Sequence, residues 1–152
     1  MSAFAAMTRD DVIRKYLDMV EELDIADGDI WLGGGSAMIM YGLRDTTMDL
    51  DAGMHKKGFE AVAKKTKSEI LIFSKADGFL HDDTRLFALT KYYTDVHLEP
   101  DTNRHDIQKI DGVWCYTPEK LMWQKQLLAK VLKREKDFKD IERLHEYMQS
   151  HK

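Results

Sequence analysis

The chain has 152 residues, 43% of them hydrophobic and 33% charged, with a formal net charge of −4. That length suits one domain over residues 1–152 with a core of its own. The mild acidity argues against broad, nonspecific nucleic-acid binding without excluding a local basic face, no apolar run is long enough to span a bilayer, and a lone cysteine, Cys115, excludes an intrachain disulfide or a cysteine-built zinc cluster.

Chain order then predicts the elements. Thr8 caps a first helix running to about Leu23, with Val12, Tyr16, Leu17, Met19, Val20 and Leu23 at helical spacing. Asp27-Gly28-Asp29 is a turn, Ile30-Trp31-Leu32 a short buried strand, 36–43 a short helix and 48–52 a strand. A helix over 57–66 turns Phe59, Val62 and Ala63 inward, and 69–73 and 85–90 read as strands around a loop marked by Asp77-Gly78. Residues 91–98 form another strand, 100–112 a polar connection and 113–116 a last short strand. Thr117 caps a helix with Pro118 in its first turn, reaching Leu132, and a second helix closes the chain. With no repeat or linker, this order predicts an α/β (α+β) fold: a small mixed β-sheet flanked by helices. The N-terminus shows no basic segment followed by an apolar core, so a reducing cytoplasm is the expected compartment.

The stretch from Gly33 to Asp51 carries the chemistry. Glycines let backbone N–H groups approach a phosphate, and a helix starting there adds partial positive charge. Asp49 and Asp51, at i and i+2 of a strand, project from one face, and paired carboxylates suit Mg²⁺, a hard cation that takes oxygen ligands. Aspartate is disfavoured in strands, so two in one short strand need a reason. A later strand supplies Asp95, with His97 and Glu99 on its face; Glu99 precedes Pro100, where the strand is expected to end.

Gly34-Gly35-x-Ala37, Gly42-x-Arg44 and Thr47-x-Asp49-x-Asp51 together resemble the signature of the nucleotidyltransferase superfamily, the DNA polymerase β-like fold. The resemblance extends to small bacterial and phage members, including the toxin-type enzymes of abortive-infection and toxin–antitoxin systems. The spacing between Arg44 and Asp49 holds one more Thr than the tightest form of the motif. Downstream, Arg134-x-Lys136-Asp137-x-x-Asp140-Ile141-x-x-Leu144 is similar to the family's C-terminal helices, so the resemblance covers most of 29–145. It implies catalytic and metal-binding roles for Asp49, Asp51 and Asp95 with two Mg²⁺ ions. It implies contacts from Gly34, Gly35, Ser36, Arg44, Thr47 and Lys125 to an NTP such as ATP. The implied activity is transfer of an NMP to an acceptor hydroxyl, a tRNA end being the first choice. Small-molecule or protein nucleotidylation, a nucleotide hydrolase and a non-catalytic nucleotide-binding module are the alternatives. So short a chain is expected to find its acceptor through a groove, a partner protein or a second copy.

Each residue also has a plainer reading. The glycines serve an ordinary turn, Ser36 serves as a helix N-cap, and Arg44 forms a salt bridge, one of the two aspartates being the natural partner. Lys120, Lys125, Lys130, Lys133, Arg134 and Lys136 form either a solvated helix face or a contact for triphosphate or a polyanionic acceptor, with Lys130 and Arg134 on one helical face. Lys136-Asp137 reads as part of that exposed face. Trp31, Trp114, Trp123 and the methionines read as core.

Overall fold

A computed structural model describes residues 6–151. Its centre is a seven-stranded mixed sheet whose spatial order is β3 (Leu71–Phe73), β4 (Thr84–Leu89), β5 (Thr94–Leu98), β2 (Leu50–Met54), β1 (Trp31–Gly33), β7 (Val113–Tyr116) and β6 (Ile107–Ile110). The β2–β5 and β1–β7 pairs are parallel and the other neighbours antiparallel. Five helices accompany it among the described residues: α1 (Arg9–Glu22), α2 (Gly34–Met40), α3 (Lys56–Lys65), α4 (Pro118–Leu132) and α5 (Glu135–Ser150).

The period-two alternation of the central strands sorts the side chains. Leu50, Ala52, Met54, Val96, Phe87, Leu89, Val113 and Cys115 are buried with Val12, Tyr16 and Met19 of α1 and Phe59 and Val62 of α3. Phe59 and Phe87 pack with ring centroids 4.8 Å apart, joining α3 to β4. The Tyr16 hydroxyl donates to the Ile30 carbonyl at 2.8 Å, fixing α1 against the entry to β1. Asp51, Asp95 and His97 therefore fall on the other face. Thr8 caps α1 in a reciprocal box with Asp11, and Thr117 caps α4 with Pro118 in the first turn. Among the described residues no helix is long and apolar enough to cross a membrane.

Several expectations need correction. The connection over 100–112 contains β6, which forms a hairpin with β7 through Asp111 and Gly112, both at positive φ (49° and 85°). β2 starts at Leu50, so Asp49 stands on the approach to the strand. A 3-10 turn over Thr90–Tyr92 and a left-handed Tyr93 (φ 53°) delay β5 to Thr94. α2 begins at Gly34 with Gly33 in the capping position, so Ser36 is inside the helix. α4 ends at Leu132 as expected, but Lys133 at φ 55° turns the chain before α5, so Lys130 and Arg134 do not share the helical face expected of them. Trp123 is 52% exposed and Met48 51%; neither belongs to the core.

Candidate active site

The glycine turn and the acidic strand are in contact. Gly33 pairs with Asp51 across β1–β2, and Gly34 has a left-handed backbone (φ +52°). A Cβ on Gly34 would stand 2.6 Å from Asp51 Oδ2, and one on Gly35 would stand 2.6 Å from Arg44 Nη1. Gly34 needs glycine because the Asp51 carboxylate occupies the space and its φ is left-handed, whereas at Gly35 the end of the flexible Arg44 side chain would have to move aside. The Gly34 N–H donates to Gln124 Oε1 of α4 at 3.1 Å. Ser36 is fully buried; its hydroxyl donates to the Gly33 carbonyl at 2.9 Å and accepts from the Asp51 N–H at 3.1 Å. The hydroxyl thus clamps the turn to the strand from inside.

Asp51 and Asp95 are register partners on adjacent parallel strands, so their carboxylates share one face. Asp49 is exposed on the preceding segment. Thr47 holds that segment: its backbone bridges Met7 with bonds of 2.7 and 2.9 Å, and its hydroxyl donates to the Asp49 carbonyl at 3.0 Å. Burial pushes the Asp51 carboxyl above the usual range. His97 and Lys125 oppose the rise, and the charges of Asp49 and Asp95 add to it. Burial and then Asp49 raise Asp95 in the same way, against His97. The three carboxylates therefore sense one another, and their negative charge is only partly offset. Such a set of hard oxygen donors fits Mg²⁺, which would relieve both burial and repulsion. Asp51 and Asp95 share a face and Asp49 stands on the approach to it, and among the described residues no three His, Cys, Asp or Glu side chains are already grouped to hold a metal ion.

Glu99 follows β5 directly and is engaged elsewhere. It accepts from Trp31 Nε1 at 2.5 Å and from the Tyr116 hydroxyl. Its side chain crosses the bare backbone of Gly53, where a Cβ would lie 1.7 Å from Glu99 Oε1. Burial, with the Glu99 charge next, raises the Tyr116 phenol and keeps it protonated. His97 pairs in register with Gly53, one step along the face from Asp95. Neither Gly53 nor Gln124 stood out in the sequence, since each is defined by a partner distant along the chain.

Behind the turn lies a buried ionic hub. Lys125 is 3% exposed, with Nζ 3.0 Å from Asp140 Oδ2 and 3.5 Å from Asp137 Oδ1. Arg44 Nη2 meets Asp140 at 2.7 Å, and Arg134 grips Asp137 with Nε at 2.7 Å and Nη2 at 3.2 Å. Burial raises the Asp140 carboxyl, but the Arg44 and Lys125 bonds outweigh it and leave the group below its ordinary value. The salt-bridge partner of Arg44 is therefore Asp140, not Asp49 or Asp51. Asp137 is buried, so the motif around it is not an exposed face; it looked like one because its partners come from α4 and from the α2–β2 loop.

No family model and no curated protein matches the sequence. Solved structures do share its fold. The antibiotic-resistance factor ANT(2'')-Ia, solved in solution, aligns over 93% of this chain and 83% of its own length, with a TM-score of 0.56 at 18% identity. An antigenic nucleotidyltransferase-like protein from Paracoccidioides brasiliensis aligns over 92% of this chain and 78% of its own, with a TM-score of 0.51 at 19% identity. The chain has the nucleotidyltransferase fold.

Proposed function

We propose that this chain is a metal-dependent nucleotidyltransferase that moves an NMP from an NTP to an acceptor hydroxyl and releases pyrophosphate. The observation that carries the reading is the register pair Asp51–Asp95, set against a glycine turn that Asp51 itself touches. Asp49, Asp51 and Asp95 are the residues that would hold Mg²⁺. Bound Mg²⁺ supplies neutralisation of phosphate charge and a lowered pKa for the attacking hydroxyl.

The chain's own groups do the positioning. The N–H groups of Gly35 and Ser36 lie in the first turn of α2, where helix donors lack intrahelical partners, and they are the proposed contacts for the β- and γ-phosphates. The Ser36 hydroxyl, committed to Gly33 and Asp51, keeps that turn in place. Arg44 and Lys125 act from behind by fixing α5 and α4 against the turn. The acceptor oxygen forms a bond to the α-phosphorus as the bond from that phosphorus to pyrophosphate breaks. On this reading Asp95 takes the hydroxyl proton. Catalysis on this reading is mainly alignment and charge stabilisation.

The test is incubation with each α-labelled NTP, Mg²⁺ and total cell extract, for wild type and Asp51→Asn. Label on a macromolecule or small acceptor, lost in the variant, is the expected result. Free NMP as the sole product would make the protein a hydrolase. NTP binding with no turnover would make it a binding module.

A further inference from the structure

Next to the glycine turn, the α2–β2 loop and one face of α5 flank an open concavity of about 490 Å³. Lys136, Lys139 and Arg143 line it from α5, at spacings that put them on one helical face, and Arg44 lines it from the loop. Two acids join them. Asp140 is already neutralised by Arg44 and Lys125, and Asp45 is exposed. Among the described residues Lys136 and Lys139 make no ion pair, and Arg143 reaches Asp140 only at 3.8 Å while 52% exposed. A chain of net charge −4 thus gathers four cations around one concavity.

The loop wall continues into the acidic site. Thr46 lines the cavity and precedes Asp49 by three residues, a reach of at most about 11 Å of extended chain. A cationic small molecule would meet like charge here, and an apolar one would find a lining that is mostly polar, with Leu43 the one large apolar side chain. The triphosphate has its own proposed contact at the glycine turn.

We infer that this cavity holds the phosphate backbone of a single-stranded nucleic acid, whose terminal hydroxyl is the acceptor presented to Asp49, Asp51 and Asp95. The second half of that statement rests on the transferase reading; the docking half does not. The covalent step is the one already given: the strand's terminal oxygen bonds to the α-phosphorus, pyrophosphate leaves and the proton passes to Asp95.

The experiment is fluorescence anisotropy of labelled single-stranded RNA and DNA oligonucleotides of one sequence, titrated with the full chain across a range of KCl concentrations. Wild type is expected to bind, and the K136Q/K139Q/R143Q variant to bind at least about tenfold more weakly at low salt. Its log–log salt slope should shrink by about 2, since each single-strand phosphate contact contributes about 0.7. The K136Q/K139Q pair, which removes two exposed lysines without breaking an ion pair, should show about two-thirds of that change and guards against a folding defect. K56Q/K64Q/K67Q, on the separate cavity beside α3, should stay within twofold of wild type. NTP affinity by calorimetry should be unchanged in every variant. Equal affinity for the two strands, or a preference for one, both support backbone docking and identify whether the sugar is read. No binding by wild type, an equal loss in the α3 control, or a loss of NTP affinity instead would overturn the inference. Docking through the cavity with no label transferred to the strand under Mg²⁺ and NTP would support the docking site and overturn the transfer reading.

Discussion

Two regions of this molecule crowd aspartates out of water, and they respond in opposite ways. In the hub between α4 and α5, Asp137 and Asp140 are 0% and 1% exposed, yet each has an arginine at 2.7 Å and Lys125 between them. The net effect holds the Asp140 carboxyl down. On the sheet face, Asp51 and Asp95 have each other and Asp49 for company, with His97 and Lys125 as partial offsets, and both carboxyls are pushed up. Buried acids with full partners are architecture; half-buried acids left short of positive charge are where a ligand is expected to complete the balance.

The sharpest way to break this contrast is to neutralise one acid in each region. Asp51→Asn should reduce Mg²⁺-dependent transfer by at least about 10³-fold, equivalent to roughly 4 kcal/mol of transition-state stabilisation. Its melting temperature should hold or rise, because a desolvated like charge is gone. Asp140→Ala should do the reverse in kind: it strands Arg44 and leaves Lys125 with Asp137 alone, and a urea titration should show a loss of about 3–5 kcal/mol. Similar destabilisation by both substitutions would erase the distinction. Gly34→Ala probes the seam between the regions. A methyl group at φ +52° and 2.6 Å from Asp51 Oδ2 should lower stability by about 1–3 kcal/mol and displace Asp51, seen as weaker Mg²⁺ dependence.

Acid titration separates the regions more gently. Asp140 has a folded-state value below its ordinary 3.8, so its contribution is fully present above that pH and is lost as pH falls through the lower folded value. Asp140→Asn should therefore flatten the acid limb of a thermal-stability profile below about pH 4. A profile identical to wild type there would remove Asp140 from the hub's energetics. Lys130→Gln is the smallest test. Lys130 is exposed and outside the hub, so stability should move by no more than about 0.5 kcal/mol. A larger loss would show that the basic surface of α4 has a structural role.

What the residues disclosed in advance follows the range of the interaction. α1 and its Thr8 cap were readable because cap, stripe and acidic first turn all lie within a few turns of chain. The acidic strands were readable from composition, since aspartate in a short strand demands explanation. β6 carried a signal that was passed over: Asp111-Gly112 between two short runs is a hairpin turn with both central residues at positive φ. The end of the Thr117-capped helix at Leu132 was readable, but the left-handed backbone of Lys133 that makes the break was not, because a lysine in the left-handed region looks like any other lysine. The hub was hidden for a different reason. Asp137, Asp140 and Lys125 are polar residues at surface-like spacing, and only Arg44, almost a hundred residues away, reveals that their side is buried.

The parallel pairing of β2 with β5 has a consequence for how the chain reaches its native state. Each hydrogen-bonded rung between them joins segments separated by α3, β3 and β4, whereas β1–β2 and β4–β5 close over shorter stretches. Loop-closure entropy delays such long-range rungs relative to local hairpins. Asp51 and Asp95 are therefore expected to meet late, when the two halves of the sheet dock. The like-charge encounter is deferred to a stage at which Leu50, Ala52 and Val96 are simultaneously leaving water, and their burial offsets it. A cation present at that moment would speed the docking step, so the refolding rate itself becomes a reporter of the acidic face.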